Sequence, residues 1–275
     1  MSMRFVLFSL LAATLWSTAT CAQPASPLTY DCQAYLTRVD QIPPVAPGDA
    51  APWQCMTPTL PTSTATHWQR TALEYCRLTT GVYDTALAAA RRMAATHRRR
   101  QWIVIMDADE TVIDNTLFER ERDHCGGPVH DAQWESWVHA AIARDVPGAA
   151  IFTQQVHRMG GLVAIVTNRA AADDTITQDV LRRIGVWFDA EAGMTDMADK
   201  TARWRDAVAT LTAKFGGRPV PVMWLGDQIT DLAITGRRGD ILRAMTQHDS
   251  GDGIGRTRFL LPNAMYGNWS ANPDR

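Results

Sequence analysis

Three short apolar runs, at residues 102–106, 162–166 and 220–225, constrain this chain more than any other feature. They read WIVIM, LVAIV and VPVMWL. Each is rich in β-branched or aromatic residues and lacks polar alternation, which is the pattern of a strand buried on both faces. Helical stretches at 149–159, 171–184 and 200–214 surround these runs. Strand alternating with helix implies a parallel sheet with both faces covered. The expected fold is therefore α/β, a three-layer Rossmann-like sheet. Residues 256–261 predict a late strand. Residues 66–97 read as helix, with Gly81 expected to divide or kink it and Arg98, Arg99 and Arg100 at its C-terminal end, where positive charge is favourable.

The chain is long enough for this plan. It has 275 residues, 46% hydrophobic and 20% charged, and so can bury a sizeable core. A formal net charge of −2 gives no global attraction to a nucleic-acid polymer. Of the 27 basic residues only Lys200 and Lys214 are lysines, so the choice of a functional lysine is narrow.

Each apolar run ends on polar side chains. The first continues into Asp107-Ala108-Asp109-Glu110-Thr111, the second into Thr167-Asn168-Arg169, the third into Gly226-Asp227-Gln228-Ile229-Thr230-Asp231. Open parallel sheets bind ligands beyond the carboxyl ends of their strands. Asp107, Asp109, Thr167 and Asp227 are thus expected in one crevice. In extended chain Asp107 and Asp109 face the same way, about 6.6 Å apart along the strand. Carboxylates gathered there repel one another, and a hard cation relieves the repulsion. Oxygen ligands suit Mg²⁺. The seven histidines show no H-x-H or HExxH spacing, which argues against zinc. Such a centre suits phosphoryl transfer. Asp107 attacks phosphorus, Asp109 acts as acid and base, Thr167 donates to a phosphoryl oxygen, and Lys200 is the better placed of the two lysines to balance charge.

At these residues the sequence resembles the haloacid dehalogenase superfamily, in its D-x-D-x-T phosphatase branch. The stretch Asp107-Ala108-Asp109-Glu110-Thr111-Val112-Ile113-Asp114-Asn115 is similar to the DxDET signature of class C bacterial acid phosphatases, the lipoprotein e type related to 5′-nucleotidases. Trp134-Glu135-Ser136-Trp137, Val146-Pro147-Gly148-Ala149, Val166-Thr167-Asn168-Arg169 and Leu261-Pro262-Asn263-Ala264-Met265-Tyr266-Gly267-Asn268-Trp269 resemble further segments of that group. The resemblance implies Asp107 as nucleophile and Asp109 as acid/base. It implies Mg²⁺ held by the carboxylates of Asp107 and Asp227 and the backbone carbonyl of Asp109. Thr167 and Lys200 would hold phosphate, Asn168 and Asp231 would support phosphate or metal, and Trp134 and Tyr266 would line the leaving-group pocket. A small helical cap or N-terminal elaboration is expected on the sheet, with small phosphomonoesters such as nucleoside monophosphates as partners and a homodimer as the family's common state. The sequence departs from the pattern at Thr230, where relatives often carry a second acid. A phosphotransferase using the same intermediate, and a non-catalytic nucleotide- or haem-binding module on the same fold, are the competing readings.

The N-terminus reads as an address. Arg4 precedes an apolar stretch at residues 5–16, and Thr20-Cys21-Ala22 forms a small-residue cleavage site. The stretch is shorter than the roughly 20 residues a spanning helix needs. Residues 1–22 are therefore expected to be a signal peptide, residues 23–65 an extended lead-in and residues 66–275 the phosphatase domain, with a periplasmic or secreted location. A lipid anchor through Cys21 is the alternative. Outside the cytosol, Cys32, Cys55, Cys76 and Cys125 can form two disulfides by any of three connectivities. Cys32 and Arg38 share the spacing of cysteine phosphatases, but no Gly-rich loop lies between them.

Overall fold

The computed structural model describes residues 29–37, 51–126, 131–196, 200–234 and 253–271. Residues 1–22, where a signal peptide is expected, and Cys21 with them, lie outside the described residues. Five parallel strands form the central sheet: β1 (Trp102–Met106), β4 (Leu162–Ala170), β5 (Ala190–Met194), β6 (Val220–Gly226) and β7 (Arg258–Leu260), in the order β5-β4-β1-β6-β7. A separate antiparallel pair joins β2 (Ile113–Asp114) to β3 (Arg144–Asp145).

Alternation along β1 divides the core. Trp102, Val104 and Met106 face one helical layer, where they share a cluster with Ala86, Leu87 and Ala90 of α3 (Leu73–Thr96), Phe152 of α6 (Ala149–Arg158) and Val180 and Leu181 of α7 (Asp174–Arg183). Ile103 and Ile105 face the other side and pack with Leu162, Ala164 and Val166 against Ala207 and Leu211 of α8 (Thr201–Phe215). The result is three layers, as the alternating pattern predicts.

Between β1 and α6 the chain inserts β2, α4 (Thr116–Cys125), α5 (Asp131–Ala140) and β3. Before β1 it adds α1 (Cys32–Thr37), α2 (Thr64–Thr71) and α3. Two disulfides, Cys32–Cys76 and Cys55–Cys125, select one of the three connectivities and tie these additions together. Tyr35 of α1 is buried, and its hydroxyl donates to Asp114 Oδ2 at 2.7 Å, beside an Arg144–Asp114 ion pair at 2.7 Å. Burial would raise the Asp114 carboxyl, but Arg144 and hydrogen bonds from Thr116 and Tyr35 hold it below its ordinary value.

Several elements differ from the sequence pattern. The expected division of the first long helix falls at Ala72, with φ −82° and ψ 129°, and not at Gly81. Gly81 lies within α3 with open space where a Cβ would point, and the helix continues through it despite its poor propensity. β5 was not visible in the sequence. Its Ala-Glu-Ala-Gly-Met content has weak β propensity, and pairing along β4 supplies the order instead. The β6 run is not buried throughout, since Val220 at its start is 47% exposed.

Candidate active site

The sheet's geometry explains the convergence. β1 lies between β4 and β6 in parallel register, with Met106 opposite Ile165 and Leu225. The residues that follow these positions, Asp107, Thr167 and Asp227, therefore emerge at the same edge. After Asp109 the chain turns sharply. Glu110 adopts φ 53°, and the amides of Val112 and Ile113 both donate to Ala108 O at 2.8 Å.

Asp107, Asp227 and Asp231 bring carboxylate oxygens within 4.8 Å of one another. Lys200, at the N-terminal boundary of α8, places Nζ 2.5 Å from Asp107 Oδ1 and 2.8 Å from Asp231 Oδ1. Lys214, the other lysine, instead donates to Asp189 O at 2.9 Å. Asp107 Oδ1 also accepts from the Ala108 amide at 2.7 Å. Burial pushes the Asp107 carboxyl well up, Lys200 opposes this, and the three neighbouring aspartates add to it. Burial likewise pushes Asp227 up to about 6, followed in strength by repulsion from Asp231. Burial alone would lower the Lys200 ammonium, but Asp107 and Asp231 outweigh it and raise it above its ordinary value. Asp231 is buried and also accepts from the Gln228 amide at 3.0 Å. Its close approach requires Gly226, where an added Cβ would lie 2.3 Å from Asp231 Cβ.

Asp109 stands apart from this carboxylate group. Its Oδ1 accepts from Arg169 Nη2 at 2.8 Å, Arg169 Nε at 3.0 Å and Asn115 Nδ2 at 2.8 Å. Asn115 is itself fixed, since its Oδ1 accepts from Trp137 Nε1 at 2.8 Å. Thr167 is fully buried and accepts from the Arg169 amide at 3.1 Å, while its carbonyl accepts from Arg203. Asn168 is exposed, and its Oδ1 accepts from Arg203 Nη2 at 2.7 Å.

Above these groups lies a cavity of about 500 Å³. Asp107, Asp109, Asn168, Asp227 and Asp231 reach it, and Trp134 and Tyr266 line its walls. Thr167 and Lys200 do not line it, and both are buried. Thr230, the departure in the third strand-end motif, contributes to its surface. Trp134 meets Phe118 edge to face at 5.3 Å between centroids, and the Arg169 guanidinium lies 5.6 Å from the Trp134 ring centre. Trp137, on the same helix, is 1% exposed and belongs to the core.

Glu110, Asn115, Arg169, Gln228 and Asn263 lie inside the sequence motifs, and the structure shows what each of them holds. Arg169 and Asn115 orient Asp109. Asn263 Nδ2 donates to Asp227 Oδ2 at 2.8 Å, and Gln228 Nε2 donates to the same oxygen at 2.7 Å. Tyr266 donates to Glu110 Oε2, and Glu110 Oε1 accepts from the Asn115 amide at 2.9 Å. The signal for these residues was their place inside the motifs.

The donor set fits a hard divalent cation. It consists of oxygens, and three carboxylates face one ammonium, leaving negative charge uncompensated. A parallel α/β sheet with such a centre at the strand ends, under a cavity walled by aromatic rings, defines a phosphoryl-transfer class of protein. The family model for the HAD superfamily, subfamily IIIB (acid phosphatase), matches residues 44–269, and the chain belongs to that family of phosphomonoester hydrolases. The class C acid phosphatase from Bacillus anthracis has the same fold. It superposes with a TM-score of 0.65 at 24% identity, covering 74% of this chain and 84% of that one. The same enzyme with tungstate bound superposes with a TM-score of 0.64 at 23% identity and the same coverage. Among the described residues no helix is long and apolar enough to cross a membrane.

Proposed function

We propose that the chain is an exported, Mg²⁺-dependent acid phosphatase that hydrolyses small phosphomonoesters, nucleoside 5′-monophosphates among them, through an aspartyl phosphate. The carrying observation is the group of Asp107, Asp227 and Asp231, with Lys200 against it, at the floor of a cavity walled by Trp134 and Tyr266.

The carboxylates of Asp107 and Asp227 and the carbonyl oxygen of Asp109 would hold Mg²⁺, which when bound would neutralise the negative charge developing on the phosphoryl oxygens. Asp107 attacks phosphorus, an Asp107–phosphate bond forms and the ester P–O bond breaks. Asp109 gives its proton to the leaving alkoxide. Asp109 then takes a proton from water as the water attacks the aspartyl phosphate, which releases phosphate and restores the Asp107 carboxylate. We assign phosphoryl oxygens to Lys200 and Thr167, which lie buried behind the cavity lining and would have to turn toward it, and Asp231 keeps Lys200 charged. Asn168 supports the phosphate from the exposed side. Arg169 and Asn115 aim Asp109. Trp134 and Tyr266 offer flat surfaces to a leaving group, and every nucleobase has a face to stack.

Tungstate in the related Bacillus anthracis enzyme supports an oxyanion site in this fold. The two disulfides and the N-terminal sequence support export. The test is phosphate release from p-nitrophenyl phosphate and nucleoside monophosphates with and without EDTA. Activity should vanish with EDTA and return with Mg²⁺. EDTA-insensitive turnover would overturn the metal assignment, and product appearing on an added alcohol would favour a phosphotransferase.

A further inference from the structure

One group in the cavity takes no part in the chemistry above. Glu119 and Arg122 sit three residues apart on α4 and line the same cavity as Asp107 and Trp134. Glu119 is 3% exposed. Its Oε2 lies 2.5 Å from Arg122 Nη2, yet it makes no aligned hydrogen bond. Among the described residues Arg122 is the only polar partner that the Glu119 carboxylate meets. A pair that served helix stability alone would lie on the exposed face, where such contacts are worth a few tenths of a kcal/mol. Here the acceptor is buried and has spare lone pairs, beside a forked donor whose side chain is 28% exposed.

We infer that Glu119 and Arg122 read the base of the substrate, and that they select guanine over adenine. The inference rests on the nucleotide reading of the site. A carboxylate next to a guanidinium offers acceptors beside donors. Guanine presents the complement around its O6 corner, with O6 and N7 as acceptors on the Hoogsteen edge and N1–H and N2–H as donors on the adjoining Watson–Crick edge. Arg122 donates to O6 and N7 while Glu119 accepts from N1–H and N2–H. Adenine reverses the pattern: its N6 amino group would face Arg122 and its bare N1 would face Glu119. Hypoxanthine keeps O6, N7 and N1–H but lacks N2. The neighbouring Phe118 and Trp134 supply the apolar wall that keeps water from competing for these bonds.

The test compares kcat/KM for GMP, IMP and AMP with the full-length Mg²⁺-loaded protein at one pH near 8, where Glu119 is ionised. GMP should exceed AMP by about tenfold or more, with IMP between them, since a bidentate base contact discriminates on that scale. Glu119→Gln should cut the GMP-to-AMP ratio by about tenfold, and Arg122→Lys should reduce it through loss of the fork. A wild-type ratio near one would overturn the inference. So would a parallel loss for both nucleotides in the variants, which would mark a purely structural pair. Equilibrium binding of GMP and AMP to Asp107→Asn protein separates this from the phosphatase reading. Tighter GMP binding supports the base reader even if turnover is absent, and equal binding sinks it even if turnover is high.

Discussion

At the scale of single residues, the site is a balance of repulsion. Burial and neighbouring aspartates push Asp107 well above the ordinary carboxylate range, and Lys200 opposes the rise. Replacing Asp107 by Asn removes one of the crowded charges and leaves Lys200 its bond to Asp231. The amide is not a competent nucleophile, so phosphate release should fall by roughly 10,000-fold or more. The fold should persist, with a thermal midpoint no lower than that of the parent. Turnover near the parental rate would remove Asp107 from its role. Aspartates at the strand ends were legible in the sequence because Asp107, Asp109 and Asp227 lie within three residues of the end of an apolar run. Their partners were less so. The bonds from Arg169 to Asp109, Asn263 to Asp227 and Tyr266 to Glu110 span 60, 36 and 156 residues. Periodicity is local and does not report contacts of that reach.

At the scale of elements, α4 joins the cavity to the stability of the fold. Burial pushes its Glu119 up to about 7, against the pull of Arg122. In the unfolded chain a glutamate titrates near 4.3. The folded state therefore holds its proton more tightly. Stability from this group is fully present below the unfolded value and declines as pH rises, with the loss complete above about 7. The loss amounts to about 4 kcal/mol at most. Glu119→Gln should thus raise the thermal midpoint of the substrate-free protein at pH 8 and leave it nearly unchanged at pH 4. An equal shift at both values would show that titration of Glu119 is not the cause. Elements were unevenly legible. β1 and β4 stood out because burial on both faces forces a continuous apolar run. β5 did not, because its order comes from β4, and the two-residue strands β2 and β3 are too short to carry a period.

At the scale of the whole molecule, two disulfides close separations of 44 and 70 residues around the N-terminal additions and the inserted helices. In the chain-entropy description each restricts the unfolded state by about 4 kcal/mol. Removing both by Cys→Ser replacement should lower the urea midpoint clearly, with Cys32→Ser/Cys76→Ser and Cys55→Ser/Cys125→Ser each giving part of the effect. A double-pair variant with the parental midpoint would show that packing alone holds these segments. The pairing was not legible in the sequence, since four cysteines in unrelated contexts carry no ranking of partners. The folded positions of α1, α3 and α4 decide it.

Tyr266 and Asn263 come from the last described stretch of chain, yet they hold Glu110 and Asp227. During synthesis the acidic motif is made long before either of them. Its carboxylates then lack those two restraints until the C-terminal segment has emerged and docked. A nascent or tail-clipped chain would carry every acid the reaction needs and still be an unfinished catalyst. Hydrolytic competence would thereby become one of the last properties the molecule acquires.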